Sequence, residues 1–182
     1  SLTTDYQRPE FQSENGETIS FSIDAQLTKK LEGFSQKNGC SLFMVLLAAF
    51  HCLLSKYSGQ RDFCIGTPIA GRSLQEIEDI VGFFVNTLAM RNQINENTTF
   101  ETFLQKVREN TLAAYERQEV PFEKVVEALG LTRDLGQTPL FQVMFVLQNK
   151  VNQVHLLHDI HWKTIEPNKI TAKFDITLAM TE

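Results

Sequence analysis

Hydrophobic positions dominate residues 81–91, which read as a glycine turn followed by a strand. Gly82 marks a turn. After it Phe84, Asn86, Leu88 and Met90 fall on one side of an extended chain, and Phe83, Val85, Thr87 and Ala89 on the other. Both sides are mostly apolar, which predicts an interior strand covered on both faces. Asn86 breaks that pattern. A buried amide without partners costs roughly 1–3 kcal/mol. So Asn86 either satisfies neighbouring backbone groups or faces a polar cavity.

The rest of the chain reads in order from the same periodicities. Residues 1–16 are polar and turn-rich and predict a linker or extended arm. Ile19, Phe21 and Ile23 alternate over Thr18 to Ile23, predicting a half-buried strand. Asp24 is placed to cap a helix carrying Leu27, Leu31 and Phe34, which Gly39 stops. Ser41 caps a second helix to about Tyr57, apolar nearly all round and so buried on most sides. His51 within it reads as a core or boundary residue. A strand from Arg61 to Gly66 leads into a turn closed by Pro68 and Gly71. Leu74, Ile77 and Ile80 mark a short amphipathic helix before the central strand.

Thr98-Thr99-Phe100-Glu101 reads as a capping box for a long helix buried through Phe103, Leu104, Val107, Leu112 and Tyr115. Pro121 opens another short helix that ends before Gly130. Leu140 to Gln148 is a strand, and strand-like runs follow at Val154–Ile165 and Phe174–Met180. This succession is α/β with a mixed sheet: crossover helices early, antiparallel hairpins late.

Composition narrows the chemistry. The chain has 182 residues, enough for one domain with a core, and its hydrophobic share of 42% is that of a globular protein. Fourteen phenylalanines against three tyrosines and one tryptophan point to apolar packing. The net charge of −5, with no basic run, argues against nucleic acid. Cys40, Cys52 and Cys64 sit in apolar stretches without a CxxC, so reduced thiols in a cytoplasmic protein are expected and a structural metal is not. The apolar run from Leu42 to Leu54 is too short to span a bilayer. No phosphate-binding glycine loop, HExxH or nucleophile elbow occurs. His155, His158 and His161 do not converge if they lie on one strand, so no metal is expected there. Arg72 follows a glycine at the end of a strand and turn. It is either a surface charge or one side of an ion pair.

Four segments together resemble the condensation domains of non-ribosomal peptide synthetases. Residues Asp62 to Arg72 are similar to DFxxGxPxAGR, and Val81 to Arg91 to (I/V)GxFVNTLxxR. Gln118 to Val126 is similar to HQDxPFExLV. Arg133-Asp134 with Pro139 to Phe145 resembles RDxSxxPLFQVxF. They occur in the family's order, and Asp5 to Pro9 and Ala172 to Leu178 also fit. Arg117 and Glu119 replace the usual His and Asp of the third segment, and Gln137 and Thr138 also depart.

The resemblance implies a chloramphenicol-acetyltransferase-like half, α/β with a mixed, mostly antiparallel sheet packed with helices. The catalytic motif HHxxxDG is absent, so no residue of this chain is expected to be catalytic. Residues 17–182 would then be the C-terminal subdomain, and residues 1–16 the arm from a missing N-terminal half. By matching position Arg72 would pair with the Asp of that motif, while Asn86 and Phe84 would line or support the tunnel between the halves. Gly66, Gly82 and Pro139 would serve backbone geometry. The implied partners are the missing half, peptidyl carrier domains with their phosphopantetheine arms, and a downstream adenylation domain. No cofactor bound by the chain itself, no nucleic acid and no membrane are implied. The implied activity is peptide-bond formation between carrier-tethered donor and acceptor, with this chain inactive alone. An epimerisation-type relative of the same fold, or a non-catalytic carrier-docking module, are the alternatives. Phe84-Val85-Asn86-Thr87 speaks for condensation over epimerisation.

Overall fold

A computed structural model describes residues 2–72, 74–131, 134, 136–148 and 171–181. The expected strand at Val154–Ile165, the three histidines on it, and Arg133 lie outside the described residues. The elements are α1 (Ala25–Lys37), α2 (Leu42–Ser58), β1 (Asp62–Ile69), a 3-10 helix (Gln75–Ile77), β2 (Asn86–Gln93), α3 (Phe100–Tyr115), α4 (Phe122–Ala128), β3 (Val143–Gln148) and β4 (Ile176–Thr181).

The helix caps follow local chemistry. The Asp24 side chain accepts from Leu27 N–H, and that of Ser41 from Met44 N–H, each satisfying an orphan donor of the first turn. The third cap is Thr99, whose Oγ1 accepts from Thr102 N–H. The expected box through Thr98 and Glu101 does not form. Thr98 instead closes the preceding turn, its hydroxyl donating to the Asn95 carbonyl.

The described sheet has the order β2-β1-β3-β4. β1 and β2 form a long antiparallel hairpin in register from Asp62 opposite Gln93 to Ile69 opposite Asn86. β3 lies parallel to β1, and β4 parallel to β3. The sheet is mixed, as expected, with β3 and β4 parallel to each other and not an antiparallel hairpin. A hairpin closes through a few residues, whereas the stretch 149–175 between β3 and β4 is long enough for a crossover.

Two expected strands also change. Among the described strands β2 lies at the edge of the sheet, not in its interior, and it starts at Asn86. Leu88, Met90 and Asn92 are buried on its inner face, while Ala89 and Arg91 face outward and are more open. Residues 18–23 form no strand; Ile19 is 85% exposed. Apolar alternation specifies a strand only where another strand offers its edge.

α2 and α3 cover the inner face. Leu47, Ala48, Phe50 and Leu54 of α2 meet Phe103, Leu104 and Val107 of α3 and Ile65, Leu88, Met90 and Phe145 of the sheet. The outer face carries α4 and a row of aromatic rings. No single helix among the described residues is long and apolar enough to cross a membrane.

Candidate functional site

Arg72, Phe84 and Asn86 are brought together at the mouth of the β1–β2 hairpin. Asn86 pairs with Ile69 as the last register position of the ladder, and Arg72 and Phe84 follow in the connecting loop. Asn86 Nδ2 donates to the carbonyls of Gln118 and Val120, both at 2.8 Å. Its Oδ1 accepts from Thr87 N–H at 2.8 Å and Phe122 N–H at 3.2 Å. Two donors and two acceptor positions are all an amide has. Of the two readings left open for Asn86, these bonds are the backbone-satisfying one. The segment it grips joins α3 on the inner face to α4 on the outer face. Asn86 therefore staples the chain where it passes round the edge of the sheet.

Arg72 is held in a bracket. Its Nη1 donates to the Ile77 carbonyl, and to that of Glu78 at 3.0 Å. These carbonyls lie at the end of the 3-10 helix, where a cation is favoured; that of Ile77 also accepts from Ile80 N–H. The guanidinium lies over the Phe84 ring, 4.4 Å from its centroid, a cation–π arrangement. Gly71 permits this geometry. Its φ is 66°, and a Cβ there would strike the Phe84 carbonyl. The described hydrogen bonds of Arg72 run through Nη1, and no carboxylate among the described residues pairs with it. Beside the bracket the loop turns apolar side chains outward: Val81 is 100% and Phe83 92% exposed.

Sequence reading missed a second arrangement on the outer face. The Phe122, Phe141 and Phe174 rings form a row with centroids 5.3 and 5.6 Å apart. Phe141 lies over Gly66 of β1, and a Cβ at Gly66 would enter its ring. The turn before it sets that position. Phe141 N–H donates to the Pro139 carbonyl at 2.9 Å, with Leu140 between them at a φ of 70°. That is a γ-turn of the rarer, positive-φ hand, strained for leucine. Thr138 Oγ1, donating to the Phe141 carbonyl at 2.6 Å, holds it closed. The signal was present in Gly66 and Pro139, but nothing in the sequence says which ring a missing Cβ admits.

The inner face holds a buried polar chain. Asn92 Nδ2 lies 3.0 Å from His51 Nε2, and Asn92 Oδ1 accepts from Asn110 Nδ2 at 2.8 Å. His51 is fully buried and rests against Phe63 and Phe103. Burial pushes its pKa from 6.5 down to about 4, the Met90 backbone opposing this only in part. The ring is thus neutral, a core residue as its pattern predicts. Burial likewise raises the thiol pKa values of Cys40, Cys52 and Cys64, none of which is in a disulfide. Among the described residues no group of His, Cys, Asp or Glu could hold a metal ion.

A family model described as "Condensation domain" matches residues 1–182. Gramicidin S synthase 2 of Brevibacillus brevis is 46% identical over the whole of this chain, which spans 4% of that protein. Tyrocidine synthase 3 of Brevibacillus parabrevis is also 46% identical, the chain spanning 3% of it. Among solved structures, a four-domain nonribosomal peptide synthetase aligns with a TM-score of 0.79 at 31% identity, over 81% of this chain and 11% of that one. The X-domain from teicoplanin biosynthesis aligns with a TM-score of 0.88 at 25% identity, over 100% of this chain and 41% of that one. An X-domain in complex with OxyB aligns at 0.86 and 26%, over 100% and 39%. The expected chloramphenicol-acetyltransferase-like α/β fold stands.

Proposed function

The chain belongs to the condensation-domain family of the non-ribosomal peptide synthetases, and on that premise we propose that it is the C-terminal subdomain, residues 17–182, with residues 1–16 as the arm from the other half. The proposed reaction joins two carrier-tethered substrates. The amine of an aminoacyl thioester attacks the carbonyl of an acyl or peptidyl thioester; a C–N bond forms, the C–S bond breaks, and the thiol of the donor's phosphopantetheine arm leaves with the amine's proton. An HHxxxDG motif on the other half would handle that proton. This chain would form one wall of the tunnel and would be inactive alone. Its further partners would be the peptidyl carriers and an adenylation domain, in the cytoplasm.

The observation that carries this reading is the loop beside Arg72. Side chains as apolar as Val81 and Phe83 stand almost wholly in solvent next to a fixed guanidinium. Such a surface calls for a covering partner. Arg72 would offer its fork to a carboxylate there, with Phe84 holding it flat. Asn86 would support the tunnel by pinning the segment before α4, not by touching substrate.

A docking module without catalysis is the second reading, favoured by the likeness to an X-domain that binds another protein. A carrier-tethered condensation assay, read by intact-protein mass spectrometry, separates the two. We expect no dipeptidyl product from the chain alone and product once the upstream half is restored. We expect Asn86→Ala to slow that product by about tenfold, the effect of a small misplacement of the reacting groups. Carrier binding without product for any substrate pair would favour the docking module.

A further inference from the structure

An ion pair ties the arm to the residue just before β4. Arg8 Nη1 donates to Asp175 Oδ1 at 2.9 Å and Nη2 to Oδ2 at 2.5 Å, a two-pronged fork on side chains that are mostly shielded. The arm then runs along residues 171–173. Gln12 Nε2 donates to the Lys173 carbonyl, Ala172 N–H to that of Glu14, and Asn15 bridges Thr171. Asp175 in turn donates its N–H to the Gln142 carbonyl at 2.9 Å. The ring of its neighbour Phe174 packs tilted against Phe141, that of Phe141 tilted against Phe122, and Phe122 N–H is held by Asn86. The Arg8–Asp175 fork, the peptide link to Phe174, the packed rings and the Phe122–Asn86 hydrogen bond thus join residue 8 to residue 86, with Gly66 and the Leu140 turn fixing the middle.

We propose that Arg8 is a positioning residue, holding through Asp175 and the three-ring row the geometry of the Asn86 staple and of the segment before α4. The row can transmit a displacement because Phe141 has no free space: Gly66 lies beneath it and the closed turn behind it. This rests on the reading of Asn86 as a support of the tunnel wall, but its structural half stands independently of any activity.

The test uses the parent polypeptide carrying Arg8→Ala, Arg8→Lys, or Arg8→Asp with Asp175→Arg. Amide exchange is followed in peptic fragments covering 116–124, 171–176 and, as control, 42–58, alongside product formation. In Arg8→Ala, exchange over 116–124 should quicken by about tenfold, the reach of a coupling network of this kind. The 42–58 fragment should hold, and kcat should fall with KM for both carriers unchanged. The reversed pair should restore both readouts. Arg8→Lys, which keeps the charge but loses the fork, should fall between. If exchange quickens only over 171–176, or the reversed pair leaves 116–124 loosened, the relay is overturned. If α2 loosens as well in Arg8→Ala, the lysine variant decides by the same criteria. A native polypeptide that makes no product refutes the proposed function, while the exchange comparison still decides the relay.

Discussion

Asn86 shows how one side chain can hold a chain crossing. Its four hydrogen bonds all go to backbone groups on either side of a strand edge. Asn86→Ala removes all of them, while water reaches some of the freed groups. We expect a loss of about 1–3 kcal/mol, seen as a lower urea midpoint at unchanged slope. A loss under about 0.5 kcal/mol, the range of ordinary surface substitutions, would mean that the segment before α4 is held elsewhere. The anomaly at Asn86 was legible in the sequence, since an amide among apolar positions must find partners. Its partners were not, because Gln118, Val120 and Phe122 are distant in sequence and only the fold brings them to the hairpin mouth.

At the scale of elements, glycines separate positions that need a missing side chain from those that do not. Gly66 makes room for the Phe141 ring, and Gly71 for the Phe84 carbonyl at a positive φ, whereas Gly33 in the middle of α1 meets nothing within 4 Å. Gly66→Ala and Gly71→Ala should each lower stability by about 1–3 kcal/mol, the usual cost of forcing atoms into a filled space. Gly33→Ala should raise it by about 0.5–1 kcal/mol through helix propensity alone. Thermal melts of the three variants check the contrast. The helices were readable because their caps and their 3.6-residue spacing are local. The strands were less so. Residues 18–23 alternate well and yet pair with no described strand, and β2 sits at the edge of the described sheet because strand order depends on partners far away in sequence. The parallel pairing of β3 and β4 was likewise beyond reach, for it is set by how the chain returns and not by either strand's own pattern.

For the whole molecule, the buried His51 ties stability to pH. Its folded pKa lies near 4, below the unfolded value of 6.5, so the folded state refuses a proton that the unfolded chain accepts. This contribution is therefore complete above pH 6.5 and is lost as the pH falls towards 4. At 1.36 kcal/mol per unit, the loss over that window is on the order of 3 kcal/mol. Urea titrations at several pH values should show it, and His51→Gln should flatten that part of the curve. An unchanged slope in the variant would assign the acid sensitivity to other groups.

The passage of the chain round the edge of the sheet has one more consequence. An edge strand carries a row of unpaired amides and carbonyls, a template on which a second chain can add itself. Beside the start of β2 that place is taken by the segment Asn86 grips. The same amide that positions α4 thereby acts as a guard against wrong company. Its loss would first be felt during synthesis, when neighbouring nascent chains are crowded together.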